Sequence, residues 1–65
     1  MSEPFYFEGI FVHHTDMAVL VNDGTGDMWI PKSQIEGDLD WDNFEKEDEI
    51  EFTIPEWLAI EKGLV

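Results

Sequence analysis

From Pro4 to His14, Phe5, Phe7 and Phe11 alternate with Tyr6, Glu8, Ile10 and Val12. A period of two is that of an extended strand, and here both of its faces are substantially apolar. Gly9 interrupts the run, which predicts a bulge or a close approach of another backbone. After a turn at Thr15-Asp16 a second strand is expected over Met17 to Asn22, with Met17, Val19 and Val21 on one face and Ala18 and Leu20 on the other. The stretch Asn22-Asp23-Gly24-Thr25-Gly26-Asp27 is a hairpin signal, since Gly and Asn tolerate positive φ. A short third strand, Met28 to Ile30, is stopped by Pro31, which lacks a donor. Lys32-Ser33-Gln34 then reads as a tight turn that returns Ile35 to the core. Further on, Ile50, Phe52 and Ile54 alternate with Glu49, Glu51 and Thr53, a strand with one buried face.

A helix of about eight residues is expected to follow. Pro55 suits its first position, Glu56 the positive end of its dipole and Lys62 the negative end. Trp57 and Leu58 are expected to turn inward. Gly63 stands where a left-handed C-terminal glycine belongs, and Leu64 can close a Schellman motif. The fold class that results is α+β, mainly β: a small curved antiparallel sheet of about four strands with a short C-terminal helix.

The chain has 65 residues, which is read as one domain, 1–65, with no repeat or linker. So short a chain buries only about 60% of the surface it exposes when unfolded. There is no cysteine, so disulfides and thiolate metal sites are excluded. Support must come from a homodimer or from dense packing of the three Trp and five Phe. No basic segment followed by an apolar one signals secretion, and the apolar runs fall far below the roughly 20 residues of a membrane span. A cytoplasmic protein is expected.

Charge changes the picture most. Sixteen acidic residues face three lysines (Lys32, Lys46, Lys62) and no arginine, a net charge of −13. Contact with phosphate backbones or anionic lipid needs Lys and Arg, so neither direct nucleic-acid binding nor membrane binding is expected. A partner basic at its contact surface fits, and so does a charge that merely keeps the chain soluble.

The acids concentrate between Glu36 and Glu51. Glu36, Asp38, Asp40, Asp42, Glu45, Glu47, Asp48, Glu49 and Glu51 share that stretch with the single cation Lys46. Two uses suit such a density: imitation of a phosphate array, docking on an Arg/Lys groove, or capture of a hard cation. Asp38, Asp40, Asp42 and Glu49 fall at positions 1, 3, 5 and 12 of a calcium-loop template. Asn43 replaces its glycine, Lys46 occupies its ninth position, and neither flank is helical, so this metal reading is the weaker one. Trp41 and Phe44 stand among the acids, either as interface anchors steered by charge or as lids on a small core. The partner-binding candidates are therefore Glu36, Asp38, Asp40, Trp41, Asp42, Phe44, Glu45, Glu47 and Asp48.

No catalytic constellation accompanies them. His13 and His14 point to opposite faces of a strand, a poor geometry for joint metal binding, although one of them could pair with Asp16. Neither Ser2 nor Ser33 sits in a nucleophile setting. Gly24-Thr25-Gly26 is a turn, not a phosphate loop. Lys32 is expected to meet an acidic neighbour in a structural role. The chain is not expected to be an enzyme, and no cofactor is implied.

The string Met28-Trp29-Ile30-Pro31-Lys32-Ser33-Gln34-Ile35, followed after the acidic spacer by Ile54-Pro55-Glu56-Trp57-Leu58-Ala59-Ile60-Glu61-Lys62-Gly63-Leu64, resembles a group of small bacteriophage and prophage proteins. The similarity also takes in Ala18 to Trp29. One branch of similar size and layout comprises small anti-CRISPR proteins of PC4-like fold, a curved sheet with a C-terminal helix that is typically dimeric. The resemblance implies a PC4-like or small-barrel-like architecture. It also implies a phage-encoded inhibitor of a host defence protein, a CRISPR nuclease or surveillance complex for instance, working inside the bacterial host. Two alternatives come with it: a PC4-like protein acting directly on DNA by binding or metal-dependent nicking, and an accessory protein that binds a host replication or transcription enzyme.

Overall fold

The computed structural model describes residues 3–37 and 39–65, so Met1, Ser2 and Asp38 lie outside the described residues. Four strands, β1 (Pro4–His14), β2 (Ala18–Asn22), β3 (Asp27–Pro31) and β4 (Glu49–Pro55), form one antiparallel sheet in the order β3-β2-β1-β4. A six-residue helix, α1 (Glu56–Glu61), follows β4. The mainly-β α+β class expected from the sequence is the one observed.

The 11-residue strand β1 organises the sheet by serving two partners in succession. Its first half, Pro4 to Ile10, pairs with β4. Its second half, Ile10 to His14, pairs with β2. The register shifts between Phe11 and His13, so the bulge falls at Val12 rather than at Gly9. Its cause lies in the side chains. Phe11 is opposite Val21 and His14 opposite Val19, all on the core side, and two residues three apart share a face only if one extra residue is inserted. Gly9 serves the other role expected of it: a Cβ there would lie 2.5 Å from the Asn22 carbonyl oxygen and 2.6 Å from Phe7 Cζ.

The core occupies one face of the sheet. Phe7, Phe11, Val19, Val21, Ile30, Ile50, Phe52 and Ile54 project there and meet Ile35, Leu58 and Ala59. Phe7 and Phe52, directly opposite across β1 and β4, stack with centroids 4.8 Å apart at 19°. A helix of six residues has no independent stability. It is held by burial of Leu58 and Ala59 and by its C-terminal closure, in which the Leu64 N–H donates to Ala59 O at 2.8 Å and the Gly63 N–H to Ile60 O at 3.1 Å. That is the Schellman pattern, with Gly63 at φ 77° and Leu64 packed on the core. Trp57 departs from expectation. It is 50% exposed, because so short a helix turns one narrow stripe inward and Leu58 and Ala59 fill it.

The segment between β3 and β4 caps one end of this core. A 3₁₀ turn, Lys32–Gln34, places Ile35 inside, and the Glu36 N–H donates to Thr53 O at 2.9 Å along the outer edge of β4. A second 3₁₀ turn, Trp41–Asn43, follows. The chain then rejoins the sheet, where the Glu47 N–H donates to Phe11 O and the Phe11 N–H to Asp48 O, both at 2.8 Å. Glu47 makes this return at φ 77°, a left-handed conformation that costs a residue with a Cβ roughly 1 kcal/mol. Glu47→Gly is therefore expected to raise the unfolding free energy by up to about 1 kcal/mol, read as a higher urea midpoint at unchanged slope. A lower midpoint would mean that the glutamate side chain outweighs the backbone relief.

Candidate partner-binding surface

The acidic segment is a lid whose rings face in and whose carboxylates face out. Leu39, Trp41 and Phe44 are half-buried and pack against the core. Phe44 stacks on Phe11 at 5.4 Å and 20°, and Trp41 lies 6.3 Å from the His14 ring at 30°. Trp41 and Phe44 pack as a lid on the core, and each remains partly exposed. Glu36, Asp40, Asp42, Glu45, Glu47, Asp48 and Glu49 are all exposed, and Asp38 lies outside the described residues. Asp42 is 95% exposed, so it projects fully into solvent.

Some of these acids also hold the lid's shape. Asp40 Oδ2 accepts from Asn43 Nδ2 at 2.6 Å across the second 3₁₀ turn. Asp48 Oδ2 accepts from the Glu45 N–H at 2.9 Å. Asp40 is thus committed to a turn, and Glu49 belongs to β4. Among the described residues no group of three or more His, Asp or Glu side chains converges as a metal site.

Lys32 pins the lid to the sheet. Its Nζ donates to His14 Nδ1 at 2.9 Å and to the Thr15 carbonyl oxygen, and it stands 5.0 Å over the Trp41 ring. The expected acidic partner is replaced by an imidazole, a carbonyl and an aromatic face. The topology brings them together: the Lys32 N–H bonds Met17 O at 2.9 Å, which sets the end of β3 beside the turn that leaves β1. The carboxylate near His14 is Asp42, whose Oδ1 is 3.8 Å from Nε2, and not Asp16. With its ammonium held in this way, Lys32 reads as a structural tie.

Among the described residues, no element covers the opposite face of the sheet. Strand alternation places Tyr6, Glu8, Ile10, His13, Leu20, Trp29, Glu49 and Glu51 on it, and none of them is buried. Glu8 lies directly across from Glu51, a like-charged pair of the kind that weakens a sheet. All three lysines lie outside the strands. The nearby Glu51 carboxylate, as acceptor for the Tyr6 hydroxyl, and the negative charge of Glu51 and Glu8 push the phenol up to about 12. A raised value favours the neutral phenol. Its contribution to stability is complete below the ordinary value near 10 and is lost as pH rises toward 12. Glu51→Gln is expected to bring the Tyr6 titration, followed by phenolate absorbance, back toward the ordinary value; an unmoved titration would remove Glu51 as the cause.

The hairpin between β2 and β3 is closed by its own side chains. Asp23 Oδ1 accepts from Thr25 Oγ1 at 2.7 Å, from the Thr25 N–H at 2.9 Å and from the Gly26 N–H at 3.2 Å. The Thr25 hydroxyl, then its N–H, hold the Asp23 carboxyl below its usual range. This confirms a turn at Gly24-Thr25-Gly26.

No helix among the described residues is long and apolar enough to cross a membrane. The chain matches no protein-family model, no curated protein and no solved structure.

Proposed function

We propose that this chain is an acidic protein-binding module that occupies a basic, nucleic-acid-binding groove of its partner. The observation that carries the reading is the lid. Leu39, Trp41 and Phe44 fasten it to the core while Asp42, Glu45 and Glu47 face solvent, so the charges are held on a fixed surface rather than on a loose tail. A pre-positioned array of carboxylates competes with phosphates at less ordering cost than a disordered acidic segment does.

The resemblance to small phage proteins narrows the partner to a host defence protein, and within that class to an RNA-guided CRISPR nuclease or surveillance complex. A PC4-like relation is part of the same proposal, supported by the four-stranded antiparallel sheet and the short C-terminal helix. The test is competition. Purified protein added to such a nuclease at low salt should displace its DNA and stop cleavage. Cleavage that continues with the protein bound beside the DNA would refute the mimicry.

A further inference from the structure

We infer that the uncovered face of the sheet is the module's specificity surface, and that it receives a protein partner offering an apolar recess bordered by Lys or Arg. This rests on the reading of the module as a binder of basic proteins and adds where, and by what chemistry, it discriminates among them.

The face is ordered in rows. Trp29, Leu20 and His13 lie directly opposite one another across β3, β2 and β1. The next row is Asp27, Asn22, Ile10 and Glu49 across all four strands, and beyond it come Glu8 with Glu51, then Tyr6 with Thr53. Successive rows on one face are about 7 Å apart. A row carrying Trp29 and Leu20 thus stands beside one that ends in Asp27 and Glu49. Trp29 is 44% exposed and Tyr6 52%, although an aromatic side chain in so small a protein would stabilise it more if buried. Trp41 and Phe44, the rings that the sequence places among the acids, are spent on the core. The outward-facing rings of the sheet are Trp29, Tyr6 and the His13 imidazole.

The charge pattern selects the occupant. Asp27 and Glu49 flank the row beside that of Trp29, Glu8 and Glu51 form the row beyond, and no lysine lies on any strand, so an acidic or phosphate-bearing surface is repelled. A second copy would bring the same acids against these and is disfavoured for the same reason. A large half-exposed aromatic on the same face as exposed carboxylates without a basic neighbour on any strand suits a partner that buries the ring and brings Lys or Arg to the acids.

Two short peptides of equal length test this by heteronuclear NMR on the labelled chain at low salt: alternating leucine and lysine, and lysine alone. The alternating peptide is expected to shift the Trp29 indole and the amides of His13, Leu20, Glu8 and Glu51, and to bind about tenfold more tightly than oligolysine. Trp29→Ala should erase that preference and leave oligolysine binding unchanged, while Trp57→Ala on the outer side of α1 should leave both unchanged. The wild-type shift map does not depend on how well the Trp29 variant folds. Shifts centred on the lid or on Trp57 and Ile60, or equal affinity for the two peptides, would overturn the inference. Concentration-dependent shifts in the Trp29 row without peptide would also overturn it, by giving the face to a second copy. If neither peptide binds, the reading as a binder of basic proteins falls as well, which is a different failure.

Discussion

Gly9→Val is expected to leave the chain unfolded at 25 °C, and Gly9→Ala to lower its stability by about 3 kcal/mol. The added Cβ would meet the Asn22 carbonyl oxygen at 2.5 Å and the Phe7 ring at 2.6 Å, and neither can retreat. Asn22 is fixed by pairing with Ile10 on one side and Asp27 on the other. The Phe7 ring is locked by its stack on Phe52. Gly9 sits where β1 passes from one partner to the next, so displacement disturbs both halves of the sheet. Overpacking of this kind costs roughly 1–3 kcal/mol or more. A domain of this length has about 3–10 kcal/mol in total. Gly26→Ala is the control, since nothing lies within 4 Å of a Cβ there and its φ is not positive. Urea unfolding of the three variants decides the matter. A Gly9→Val midpoint equal to that of the wild type would mean that the β1 crossover is placed wrongly.

Reversal of Asp42, Glu45 and Glu47 to lysine is expected to weaken binding to a basic partner about a hundredfold or more at low salt, with little loss of stability. All three are exposed, and the lid is held by Leu39, Trp41, Phe44, Asp40 and Asp48, which stay. Like-charge contacts across an interface cost several kcal/mol, so the loss falls on binding rather than on folding. Circular dichroism and thermal unfolding should be near those of the wild type while inhibition is lost. If inhibition survives with the three lysines in place, the lid is not the surface that imitates phosphate.

The regular elements were legible in the sequence because each has a local cause. Period-two alternation marked Ile50, Phe52 and Ile54 as one face of β4, and Gly63 with Leu64 announced the helix closure. What the sequence hid depends on contacts between distant residues. The bulge at Val12 follows from Phe11 and His14 both facing the core, which no window around either residue reveals. Lys32 meets His14 only because β3 ends beside the turn after β1. The outward position of Trp57 reflects the helix's narrow inner stripe, already filled by Leu58 and Ala59.

The candidate site was half legible. The concentration of acids from Glu36 to Glu51 is a property of composition and could be read directly. Whether Trp41 and Phe44 served an interface or the core could not, since both uses place rings among carboxylates. The face that carries Trp29, Glu8 and Glu51 becomes visible only when the register of three strand pairs is known.

On the proposed function, charge on a fixed surface governs recognition. The most direct test is the dependence of Kd on salt for the complex with a purified RNA-guided nuclease, measured with and without bound DNA. A steep loss of affinity with rising salt, and exclusion of DNA from the complex, is the predicted result. An affinity indifferent to salt, or equal with and without DNA bound, would contradict it.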